Sequence, residues 1–170
     1  MKKETKKQLL IGAALVLELL FLLLYLNGRI DRLLDSDMSS EMILGQLLAR
    51  NNGILSDQWY YSTELRVLNT QLIYALFFRL SSNWHFVRMA STLVLWCVLI
   101  ASYGVLCRVM GCKKSFGVTA LLLAAPVSES YFRFVLAGVY YVPHLAIAFA
   151  ALALNEAYFK AKPDRKKFWL

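Results

Sequence analysis

Long apolar runs alternate with short charged stretches along this chain. The first run, Leu9 to Leu26, follows Lys2, Lys3, Lys6 and Lys7. At about 18 residues it reaches roughly 27 Å as a helix, just enough to cross a bilayer. A basic start also fits a signal peptide, but Asn27-Gly28-Arg29 is not a small-x-small cleavage site. An uncleaved anchor is therefore expected. Residues 27–65 are polar and mixed. Within them, Ser39 to Arg50 predicts a helix with Met42, Ile43, Leu47 and Leu48 on one side. Asn51-Asn52-Gly53 is expected to end it, since Asn or Gly suits a left-handed C-cap.

Residues 66–80 are ambiguous. As a helix they reach only about 22 Å, short of the roughly 30 Å hydrocarbon core. Leu65, Leu68, Leu72, Ile73, Leu76 and Leu80 fall on one side, and Arg66, Thr70 and Gln71 fall elsewhere. That pattern predicts an amphipathic helix lying in the interface. Phe86 to Leu106 is the next clear span. Ser115 to Tyr131 is shorter and broken by Pro126, and Val139 to Phe159 is the last. The expected fold is an all-α membrane protein with four transmembrane helices. Two amphipathic interfacial helices would lie in its first outer loop, residues 27–85, and residues 1–170 would form one membrane domain.

Composition agrees. Of 170 residues, 59% are hydrophobic and 18% charged, with a mean hydropathy of +0.51. Soluble domains average about 45–50% apolar and about 25% charged. This excludes an ordinary soluble domain, a disordered tail and a disulfide-stapled secreted module. The net charge is +8. The lysines sit at the chain ends and in one short loop, so they read as topology signals and nucleic acid is not an expected partner. The positive-inside rule then places both termini, and the Arg108 to Lys114 loop, in the cytoplasm. A bacterial cytoplasmic membrane is the expected location. The three cysteines, Cys97, Cys107 and Cys112, show neither CxxC nor zinc spacing and are read as free thiols. Lys166-Lys167-Phe168-Trp169-Leu170 looks like the approach to another span. The chain is therefore expected to be the N-terminal part of a larger polytopic protein.

The candidate chemistry lies in the outer loop. Asp35-Ser36-Asp37 begins just past the first span, and Glu41 follows Asp37 by one helical turn. Such carboxylates can hold a divalent cation or place a general base. They equally suit a helix start, with Asp37 or Ser39 as cap and Glu41 favouring the dipole. Arg88 and Arg133, at the outer ends of their segments, suit a phosphate, or snorkel or pair with loop carboxylates. Glu129 is a second outer acid or a solvated turn residue. His144 lines a cavity or is satisfied by a carbonyl. Tyr140 and Tyr141 read as interface aromatics, and Trp59, Tyr60, Tyr61 and Trp84 as anchors of the interfacial helices.

The order Asp35-Ser36-Asp37, Ala49-Arg50, Asn52-Gly53, Trp59-Tyr60-Tyr61, an amphipathic helix, then Trp84-His85-Phe86-Val87-Arg88 resembles the front end of the GT-C membrane glycosyltransferases. The likeness is to the protein-mannosyltransferase and aminoarabinose-transferase group. The resemblance implies sugar transfer from a polyprenyl-phosphate donor on the outer face. It makes Asp37 the best match to the catalytic acid and Asp35 the second, with Glu41 nearby. Arg88, Arg133, Glu129 and His144 become substrate-binding candidates. The chain departs from the group in separating Asp37 from Glu41, and in placing Tyr61 to Arg66 where a proline-rich step is common. The family has many more spans, which implies that these residues alone are inactive. Two other readings stay open. Glu18, in the middle of the first span, could couple protons in a small four-helix transporter, since an acid there costs roughly 2.5–3.5 kcal/mol to insert. A non-catalytic assembly subunit is the other.

Overall fold

The computed structural model describes residues 2–61 and 69–161. These residues form α1 (Lys2–Asn27), α2 (Ser36–Asn51), α3 (Thr70–Phe78), α4 (Trp84–Met110), α5 (Lys113–Ala124), α6 (Glu129–Tyr131), a π-helical turn (Phe132–Ala137) and α7 (Val142–Ala161). No strand occurs among the described residues. Lys166 to Leu170, read as the approach to another span, lie outside them. Lys6–Asn27, Trp84–Met110 and Val142–Ala161 are each long and apolar enough to cross a membrane. Their outward surfaces are apolar: Leu9, Leu24 and Leu154 are all more than two-thirds exposed. Such a surface suits lipid rather than water, and suggests an integral membrane protein.

The run broken by Pro126 is not a straight span. Lys113–Ala124 and Glu129–Ala137 meet at 89°, and a fourth crossing exists only if the pair counts as one. The cause is local. Proline cannot donate to the helix ladder and drives the preceding residue out of the helical region. Ala125 accordingly adopts φ −73°, ψ 136°.

Side-chain caps set two of the helix starts. The Asp35 carboxylate accepts from the Met38 amide at 2.9 Å, so α2 begins before the expected Ser39. Asp35, rather than Asp37 or Ser39, is the cap. The helix ends on left-handed Asn52, as its sequence predicts. Asn83 caps α4 by accepting from the Phe86 amide at 3.0 Å.

The main core lies where α1, α4 and the π-helical turn cross. Leu22, Leu26, Ile30, Leu95, Trp96, Leu99 and Leu136 are buried there. The Trp96 indole N–H donates to the Leu136 carbonyl at 3.0 Å. This pairs a turn carbonyl in a place without water. α2 and α3 form a second packed unit. A Cβ on Gly45 would stand 2.7 Å from the Tyr74 Cβ and 3.0 Å from the Gln71 carbonyl, so only glycine permits this approach. The helix expected over 66–80 is observed as Thr70–Phe78, with residues 66–68 outside the described residues. Its polar edge is the buried one. Thr70 and Gln71 face inward with Tyr74, while Leu76 and Leu80 are exposed.

Lysines gather at one end of the bundle. At one end Ile11 of α1 packs on Gly117 of α5, and Lys160 of α7 donates to the Val109 carbonyl of α4. Lys7, Arg108, Lys113, Lys114 and Lys160 gather at this end. The opposite end carries the α1–α2 connector, α2 and α3, where Asp31, Asp35, Asp37 and Glu41 stand among Arg29, Arg32, Arg50, Arg79 and Arg88.

Candidate functional site

The two aspartates of the Asp-Ser-Asp stretch have different surroundings. Asp35 is engaged. Its Oδ1 accepts from the Met38 amide and from the Tyr140 hydroxyl. Asp37, in the first turn of α2, is exposed. Glu41 is buried one turn further on, where its Oε1 accepts from Asn69 Nδ2 at 3.0 Å. The three carboxylates share one electrostatic environment. Tyr140 is held protonated well above the ordinary tyrosine range, first by burial, then by the hydrogen bond to Asp35 and the nearby charges of Asp35, Asp37 and Glu41. Tyr74 is pushed up likewise, first by burial and then by Glu41. Among the described residues, no three His, Cys, Asp or Glu side chains form a group that could hold a metal ion.

A cleft of about 160 Å³ adjoins Asp35. Arg32, Leu34 and Met38 line one wall, and Arg133, Phe134 and Ala137 the other. The cleft depends on how the chain turns between the π-helical turn and α7. Gly138 sits where a Cβ would lie 2.6 Å from the Arg133 carbonyl and 3.0 Å from the Tyr140 ring. Val139 follows with φ +53°, a conformation that costs a β-branched residue energy. These two residues deliver Tyr140 to Asp35.

The arginines divide. Arg88 is 1% exposed, and its guanidinium donates to the Ile30 and Leu33 carbonyls and contacts the Met38 sulfur. It holds the α1–α2 connector in place beneath the cleft. Arg133 is exposed and pairs with Glu129 at 3.6 Å, one turn earlier. Glu129 itself borders a different cleft, beside Phe21, Tyr25 and Pro126. His144 is exposed near the start of α7 and is not part of the cleft lining. Of the expected site residues, Asp35 and Arg133 line the cleft, Asp37 is exposed in the first turn of α2 outside that lining, and Glu41 and Arg88 are buried.

Four contributors escape a reading of the sequence alone. Tyr140 looks like an interface aromatic, and Arg32 like a loop charge. Asn69 and His85 belong to no motif of their own. His85 Nδ1 lies 2.9 Å from Asp31 Oδ2, and Nε2 lies 3.1 Å from Asn27 Oδ1. It thereby ties α4 to the end of α1. The signal for His85 is its position beside an asparagine N-cap, facing an acidic connector. Glu18 stands part-exposed in α1 and makes no ion pair among the described residues. Compared with protein-family models, with curated proteins and with solved structures, the chain matches none.

Proposed function

We propose that this protein resides in a membrane and that the end carrying α2 and α3 holds a sugar-transfer site of the GT-C type, using a polyprenyl-phosphate-linked donor. We take the bent pair as one crossing, giving four, and by the positive-inside rule assign the lysine-rich end to the cytoplasmic side of a bacterial membrane and the cleft to the outer face. The observation that carries the reading is the contrast between Asp35 and Asp37. Asp35 is engaged through Oδ1 by the Met38 amide and Tyr140, whereas Asp37 stands exposed two residues further on, in the first turn of α2. Arg133 and Arg32 line that cleft.

The chemistry rests on these positions. Asp37 accepts the proton of the acceptor hydroxyl as its oxygen bonds to the sugar's anomeric carbon. The bond from that carbon to the donor phosphate breaks, and the lipid phosphate departs with the electron pair. Arg133 and Arg32 offset the charge that develops on it, since guanidinium suits phosphate geometry. Arg88 acts through the connector it holds. Its hydrogen bonds to Ile30 and Leu33 leave Arg133 and Arg32 as the better phosphate partners.

The test is transfer of radiolabelled sugar from a panel of polyprenyl-phosphate sugars in membranes carrying the full natural polypeptide. Asp37→Asn is expected to lower transfer by roughly 10²–10⁴-fold. Transfer that survives Asp37→Asn unchanged would refute the assignment.

A further inference from the structure

A second cavity lies at the opposite end from the cleft beside Asp35. It measures about 560 Å³ and opens between the starts of α1 and α5. Lys7, Lys113 and Lys114 surround it, and Ile11, Leu15 and Phe116 form its apolar floor. None of the three lysines makes an ion pair among the described residues. Two glycines shape it. At Gly117 a Cβ would stand 2.5 Å from Ile11, so the helices touch there. At Gly12 an added Cβ meets nothing within 4 Å, so the space beside it is open.

We propose that this cavity is a binding site for an anionic phospholipid. The lysines take the phosphate of the headgroup, and the floor takes the upper part of an acyl chain. Three features select this occupant. The charge is uniformly positive and unpaired, so it favours an anion. The lining is charged on one side and apolar on the other, which matches an amphiphile rather than a free ion. The site sits at the basic end of helices long enough to cross a membrane, which is where a headgroup would lie. Basic pockets between membrane helices take anionic headgroups by this physics. The inference does not depend on the sugar-transfer reading, because the two sites occupy opposite ends of the bundle.

The experiment places the full chain in phosphatidylcholine nanodiscs containing a small fraction of spin-labelled phosphatidylglycerol. Immobilised label is compared with that of spin-labelled phosphatidylcholine. A clear preference for phosphatidylglycerol is expected. Each lysine near an anionic headgroup is worth about fivefold in affinity, so Lys7→Gln, Lys113→Gln and Lys114→Gln together should reduce the preference on the order of a hundredfold. Gly12→Leu fills the cavity with the lysines intact and should also reduce it. Unchanged melting temperatures in both variants will show that the fold survives. Equal retention of the two lipids by the unaltered protein would overturn the proposal, as would a preference that survives both changes. Displacement of the label by millimolar inorganic phosphate would also overturn it, by showing a site for a soluble anion.

Discussion

Tyr140 donates its hydroxyl hydrogen to Asp35 across 105 residues of chain. The bond joins the turn before α7 to the cap of α2, and so links the last long helix to the connector after the first. Tyr140→Phe removes a hydrogen bond to a carboxylate, and a loss of about 1.5 kcal/mol is expected. Gly138→Ala should give a similar loss with both partners unsubstituted, because its methyl group would collide with the Arg133 carbonyl and displace the Tyr140 ring. A double-mutant cycle with Asp35→Ala, read by unfolding in detergent, checks the linkage. Strict additivity of Tyr140→Phe and Asp35→Ala would show that the pair does not act together.

Stability should also separate the two aspartates. Asp35→Ala loses a helix cap, worth about 1 kcal/mol, in addition to the tyrosine bond. Asp37→Asn loses only a favourable charge in the first turn, about 0.5 kcal/mol. If Asp37→Asn destabilised the protein as much as Asp35→Ala, the assignment of Asp35 as the structural member would fail. In sugar transfer the order should reverse, with Asp37→Asn the more damaging change.

Arg88→Met is expected to cost about 3 kcal/mol, because it leaves the carbonyls of buried Ile30 and half-buried Leu33 without their donor. Arg88→Lys should rescue little, since an ammonium cannot reproduce the planar fork. Limited proteolysis provides the readout. Cleavage between Gly28 and Asp35 should accelerate in both variants, and a connector that stays resistant would contradict the clamp.

How much of the fold is legible in the sequence depends on the range of each cause. The end of α2 at Asn52 and the break at Pro126 are legible because each depends on one or two neighbouring residues. The start of α2 is expected too late, since Asp35, Asp37 and Ser39 are all good caps and only packing chooses among them. The 89° bend is illegible because proline breaks a helix without setting the direction of the next one. The buried polar edge of α3 depends on Gly45, far away on α2. Tyr140 and Arg88 acquire their partners only through the tertiary fold, so no local pattern marks them. Asp37 is legible as a candidate because its value lies in being exposed at a helix start, which is a local property.

Alkaline titration offers another check. Tyr140 and Tyr74 are held protonated above the ordinary value of 10.0. For a group whose pKa is higher in the folded state, the stability it contributes is complete below the unfolded value and is lost as pH rises towards the folded one. Stability should therefore hold up to about pH 10 on account of these groups and then fall. Ultraviolet tyrosinate absorbance, compared with Tyr74→Phe and Tyr140→Phe variants, should show both phenols ionising only as the protein unfolds. Reversible ionisation of either phenol at the ordinary value in the folded protein would contradict the burial and charge environment described.

The short α5 has a mechanical consequence for the surrounding bilayer. Its 12 residues measure about 18 Å, whereas the 27 residues of the neighbouring α4 measure about 40 Å. A hydrocarbon layer of about 30 Å cannot match both. In a bilayer, lipid beside α5 would thin while lipid beside α4 would not, at a cost of fractions of a kcal/mol per ångström of mismatch. On the four-crossing proposal the protein would meet its membrane as a wedge, with the two leaflets drawn together along the flank where the chain bends.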